Sequence, residues 1–244
     1  MQRWQAVLVG AGVLVLAVPW TLAAQHDRPR SLADTSAAGP ASPAPASSPA
    51  PAARLSPSPS AASPSPSRIP VVRAASGKLE MVPGGSARSG PGPLHRFSVE
   101  VEKGLGVDAA AFAAEVESTL ADPRSWGADG RMSFRRVDAG PVDVRVVLAS
   151  PRTADRLCLP LHTAGIYSCG IGSTAVINSM RWLRGADAYE GHLPEYRQYV
   201  INHEVGHTLG HHHEYCAGKG EPAPVMMQQT KGVGACRPVP WPYP

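Results

Sequence analysis

The sequence predicts a single α+β domain, α/β-like in its succession of strand, helix and strand, carried behind a linker that joins no core. Three observations lead there. Prolines and glycines number 26 and 24 in 244 residues, too many for one uniformly folded unit. From about residue 68 onward the apolar residues fall into strand and helix periods. A second helical pattern, from about Leu193 to Leu209, is apolar on two stripes, as expected of a helix buried on most sides.

At the N-terminus Arg3 supplies positive charge, Ala6 to Pro19 is apolar, and Thr21-Leu22-Ala23-Ala24 offers small residues for a cut. That is the pattern of an export signal over residues 1–24. The apolar stretch from Ala6 to Ala24 also approaches the roughly 20 residues that span a bilayer, so a cleaved signal peptide and a retained membrane anchor both stay open. Residues 25–67 are almost wholly Ala, Pro and Ser, and such a tract cannot build a core. Proline keeps it extended at about 3.1 Å per residue, so about forty residues could hold a domain on the order of 100 Å from a membrane. A passive, disordered spacer is the expected role, with the folded domain at 68–244.

Within the domain, Leu94 to Val101 alternates like a half-buried strand and Asp143 to Leu148 reads as a more buried one. Between them Asp108 can cap a helix whose Phe112, Val116 and Leu120 recur every four residues, with Pro123 beyond its end. Ser173 to Asn178 is a further strand. The second helix has Pro194 at its first turn, Glu195 against its positive end and Gly210 as its stop.

The net charge is +4, from scattered arginines and not a run or stripe, so no nucleic-acid footprint is visible. Four cysteines in an exported chain are expected to pair. Three connectivities are open; local pairing favours Cys158 with Cys169 and Cys216 with Cys236, each bridge adding roughly 3 kcal/mol on the loop-entropy account. The spacing excludes a CxxC zinc knuckle.

The stretch that carries chemistry is His203-Glu204-Val205-Gly206-His207-Thr208-Leu209-Gly210-His211-His212-His213. Two histidines four apart on a helix face one side and can reach one ion at about 2.0 to 2.1 Å. Glu204, beside the first, is placed to take a proton from a metal-bound water without being a ligand. Gly210 can adopt positive φ and turn the chain back, which brings His213 into reach as third ligand and leaves a fourth position for water. A surface polyhistidine cluster, or His211 or His212 in place of His213, is the competing reading.

At every fixed position these residues match HExxHxxGxxH, and the chain here resembles the metzincin zinc peptidases. The resemblance implies Zn²⁺ on His203, His207 and His213, Glu204 as general base, and a methionine turn beneath the metal. Met226 of Pro224-Val225-Met226-Met227, thirteen residues after His213, suits that turn, with Met227 as the alternative. Gln228 and Gln229 stand where a Tyr or Pro usually follows, so no tyrosine ligand is expected from there. More closely, Tyr196 to Cys216, Met226, Trp241-Pro242-Tyr243, Cys158-Leu159-Pro160-Leu161 and Tyr167-Ser168-Cys169 look like an uncharacterised family of exported actinobacterial proteins with a metzincin-like signature. It brings no known substrate. The likeness further implies a substrate laid along an edge strand, here Thr174 to Asn178.

The expected activity is therefore that of a secreted or membrane-anchored zinc metalloendopeptidase. It would act as a monomer on peptide or protein substrates, without nucleic acid, and touch membrane only through its N-terminal segment. A zinc-dependent amidase of cell-wall peptides and a non-enzymatic zinc-stabilised envelope module remain as rivals; Glu204 weighs against the latter, since storage needs no base. His26, His95, His162 and His192 are isolated and expected to be surface or satisfied core residues; for His162, inside the Cys158 to Cys169 loop, lining the cleft is the alternative.

Overall fold

The structure is a computed structural model and describes residues 69–244. The export segment and the Pro-rich tract at 1–67 lie outside the described residues.

The described residues are mixed α and β, with a six-stranded mixed sheet and four α-helices. The strands are β1 (Leu79–Met81), β2 (Leu94–Glu102), β3 (Ser133–Arg136), β4 (Val144–Ala149), β5 (Cys169–Ile171) and β6 (Thr174–Asn178); the helices are α1 (Ala109–Ala121), α2 (Pro151–Leu157), α3 (Ser179–Arg184) and α4 (Leu193–Thr208). The sheet runs β1-β2-β4-β6-β5, with β3 beside β2. Its centre, β2-β4-β6, is parallel, and β1 and β5 close the two ends antiparallel. The strand order explains the α/β-like reading: β2, α1 and β3 form one parallel crossover, and β4 then adds parallel to β2.

Alternation sorts the core into two unequal layers. Phe97, Val99, Val146, Leu148 and Ile177 face α1 and α4 and join Phe112, Val116, Val200, Ile201 and Val205 in the larger cluster. Val147, Ala149 and Val176 point to the opposite face and pack with Ala154 of α2 and the Cys158–Cys169 disulfide. Each such fully buried aliphatic or aromatic side chain contributes about 1.5–3 kcal/mol relative to exposure. The second bridge joins Cys216 and Cys236, so both local pairings hold. Two disulfides fit an extracellular location. Among the described residues no helix is long and apolar enough to cross a membrane.

The expected elements stand close to their boundaries. Asp108 caps α1, its carboxylate accepting from the Ala111 N–H at 3.0 Å. One expectation is corrected. Thr174–Asn178 is not an edge strand, because β6 pairs with β4 on one side and β5 on the other. The edge is β5, three residues long, whose mixed Cys-Gly-Ile composition has too little strand period to be seen in the sequence.

Candidate metal centre

Helix α4 is the spine of the site. Tyr199 to Gly206 are all buried, because sheet, α1 and the C-terminal segment cover different sides of the helix. A residue with Cβ does not fit at Gly206: it would meet Met226 Sδ at 2.5 Å and the Trp126 ring at 2.6 Å. The helix ends in a Schellman motif. The His211 N–H reaches the Gly206 carbonyl at 3.0 Å and the Gly210 N–H that of His207 at 3.1 Å, with Gly210 at φ +91°. This turn reverses the chain and carries His213 back over the helix.

His203, His207 and His213 converge, each offering a ring nitrogen within 4.8 Å of the others. His207 Nε2 and His213 Nε2 are 3.1 Å apart. Each helical imidazole is oriented from behind: His203 Nδ1 lies 2.8 Å from the Val225 carbonyl and His207 Nδ1 2.9 Å from that of His211. A carbonyl only accepts, so both Nδ1 atoms carry the proton and both Nε2 lone pairs face the centre. Burial pushes the His203 imidazolium down to about 3, reinforced by its histidine neighbours against the Val225 bond. Burial likewise lowers His207 and His213. Neutral imidazoles with converging lone pairs are what a borderline-soft divalent cation requires, so the donor set fits zinc.

The rival histidines are placed elsewhere. His211 stacks on Trp126 with centroids 4.2 Å apart and serves the site through its carbonyl. His212 lines the cleft without joining the trio. His213 itself is exposed, because it sits on the return strand outside the helix. The Glu214 N–H fixes that strand by donating to the Met226 carbonyl at 3.1 Å.

Glu204 is buried at the base of a cleft of about 400 Å³. Burial pushes its carboxyl up to about 8, opposed only by the backbone N–H of Gly170 in β5. Gly170 lies so close that a Cβ there would collide with the Glu204 carbonyl and His207 Cβ. The glycine thereby lets the edge strand lie directly on α4.

Beneath α4, Pro224–Met227 forms a turn closed by the Met227 N–H to the Pro224 carbonyl at 2.9 Å. Met226 is fully buried at its tip against Gly206, whereas Met227 is only half-buried. Gln229, whose significance composition did not reveal, fastens this turn. Its side chain donates to the carbonyls of Pro224 (3.0 Å) and Val239 (2.8 Å) and accepts from the Tyr189 hydroxyl at 2.9 Å. Tyr199 of α4 bridges to it, donating to the Met227 carbonyl and accepting from the Gln229 N–H, both at 2.9 Å.

His162 takes its alternative place and lines the cleft with Thr163 and Tyr167. The Cys158–Cys169 bridge closes their loop onto β5. Lys231, unanticipated, stands among the lining residues. His95 and His192 lie away from the cleft.

A family model described as "Protein of unknown function (DUF3152)" matches residues 65–237. No curated protein and no solved structure matches the chain.

Proposed function

The chain belongs to this DUF3152 family, and we propose that it is an exported zinc metallopeptidase of the metzincin type. The observation that carries the reading is the trio of imidazoles converging in one cleft, two of them oriented by backbone carbonyls, with a buried carboxyl alongside. His203, His207 and His213 would hold the ion, which when bound supplies Lewis-acid polarisation of a carbonyl and acidification of water.

The chain's own groups do the rest. Glu204 takes the proton of the attacking water at its carboxylate and returns it to the leaving amine. The apolar enclosure that raises this carboxyl keeps it basic enough for the task, and the Gly170 N–H aims it. The Val225 and His211 carbonyls hold the ligand rings, so little reorganisation is needed on metal entry. Met226, buried under Gly206, takes the part of the methionine turn: its thioether packs against the helix while the Val225 carbonyl behind it orients His203. The substrate chain would lie along β5, whose outer edge borders the cleft.

The test is cleavage of a diverse peptide library by the full chain beside its Glu204→Gln variant at matched zinc content. Cleavage confined to the wild type is expected. Equal cleavage by both proteins would remove Glu204 from the mechanism, and silence from both would sink the peptidase reading.

A further inference from the structure

The charges around the cleft are one-sided. Of the side chains that line it, only Glu204 is a carboxylate, and it lies buried on the floor. Lys231 stands exposed on the wall, its Nζ 5.1 Å from the centre of the Tyr167 ring and 3.2 Å from Gln228 Oε1. On the same ring Arg181 places its guanidinium carbon at 5.8 Å. Arg181 Nε and Nη1 donate to the carbonyls of Ile166 (2.9 Å) and Gly185 (3.2 Å), which satisfies its hydrogen bonding without neutralising its charge. Among the described residues neither cation has an acidic partner, while Arg124, Arg145 and Arg197 do.

Lys231 is also held in place. It ends the 3-10 turn Gln229–Lys231, whose first residue is the fully buried Gln229 and whose second, Thr230, meets the Tyr196 hydroxyl at 3.1 Å. The backbone that presents the ammonium is therefore fastened to α4 by the same bonds that set the turn under the histidines. Such a cation is preorganised for an anion: one of its three donors is used by Gln228, and the side chain lines the cleft.

Resting on the peptidase reading above, we propose that this cleft selects substrates carrying a carboxylate, which docks on Lys231 against the Tyr167 ring. The carboxylate is either an acidic side chain near the scissile bond or a free C-terminus. Tyr167 favours the pairing by holding the ammonium over its π face, and the one carboxylate of the cleft, Glu204, is buried on the floor away from the exposed Lys231.

The experiment uses zinc-loaded full chain carrying Glu204→Gln, which separates binding from turnover. Calorimetry would compare peptides of one sequence with Asp or Asn, and Glu or Gln, scanned along the chain, each as free acid and as C-terminal amide. The expected result is about tenfold tighter binding of the carboxylate form, the scale of one charge-assisted hydrogen bond. In Lys231→Met the preference should vanish, and in Lys231→Glu it should invert toward Lys-containing peptides. A preference seen only with amidated acidic peptides assigns the subsite to side chains; one seen only with free acids assigns it to the C-terminus. Equal binding of each pair, a preference that survives Lys231→Met, or no binding at all would overturn the proposal. Its failure is distinct from that of the peptidase reading: wild-type cleavage without acidic preference sinks the subsite alone, whereas acidic binding without any wild-type cleavage sinks the peptidase and keeps the subsite.

Discussion

Two buried glutamates, one on each face of the sheet, have opposite fates. Glu102, on the α2 side, accepts from the Ser150 N–H (2.7 Å), the Gly77 N–H (2.7 Å) and the Thr153 hydroxyl (2.9 Å). Burial alone would raise its carboxyl, yet these donors outweigh it and the net shift is downward. Glu204, under the cleft, has burial and one opposing backbone donor, and rises to about 8. Two things differ: Glu204 is surrounded by more protein, and it has one donor where Glu102 has three. A fully satisfied carboxylate fastens a structure, and an under-satisfied one stays available to react.

Exchanging each acid for its amide should separate the two roles most widely. Glu204→Gln is expected to lower turnover by about 10²–10⁴-fold, the usual worth of a positioned acid–base group, with zinc content by atomic absorption unchanged. Glu102→Gln should leave turnover per folded molecule intact. Its own effect should be on stability, a loss of about 1–3 kcal/mol in urea unfolding, because the new amide turns a donor toward donors.

Gly170→Ala probes the donor that Glu204 does have. The added methyl meets α4 backbone, and overpacking of this kind costs about 1–3 kcal/mol. Melting and turnover should fall together, and retention of both would refute the close contact.

The smallest effect is in the pH dependence of the metal-free protein, and the two glutamates should bend it in opposite senses. Because the folded Glu102 carboxyl is lowered, the stability it lends is present above the ordinary carboxylate range and is lost as pH falls through its folded value. Glu204 holds its proton in the folded state between its ordinary 4.5 and about 8, so stability drops as pH rises across that interval. Melting temperatures against pH should lose the acid-side slope in Glu102→Gln and the alkaline-side slope in Glu204→Gln. Identical curves for the wild type and both variants would dissolve the contrast.

The histidine trio was legible because its information is local: a four-residue spacing on a helix and a glycine where the chain turns back need no tertiary knowledge. The three long strands and α1 were readable for the same reason, through period and cap. What escaped reading depends on partners distant in sequence. Gly170 matters only because α4 lies against it, and β5 is too short to show an alternation. Gln229 looks like any polar residue after a turn, and only the carbonyls of Pro224 and Val239 around it reveal its role. Lys231 reaches the cleft through a 3-10 turn, which has no periodic signature, whereas the cysteine spacing already hinted that His162 could.

The floor of the site draws on the end of the chain: Gln229 is bonded to Val239, and Asn202, next to the first histidine, donates to the Pro240 carbonyl at 2.9 Å. Trp241 lies buried beyond them under the Arg124 guanidinium. A polypeptide that leaves the ribosome or crosses a membrane N-terminus first therefore has α4 and all three histidines before it has their foundation. On the peptidase reading proposed above, hydrolytic competence would wait for residues 239–241, which emerge well after the histidines they support.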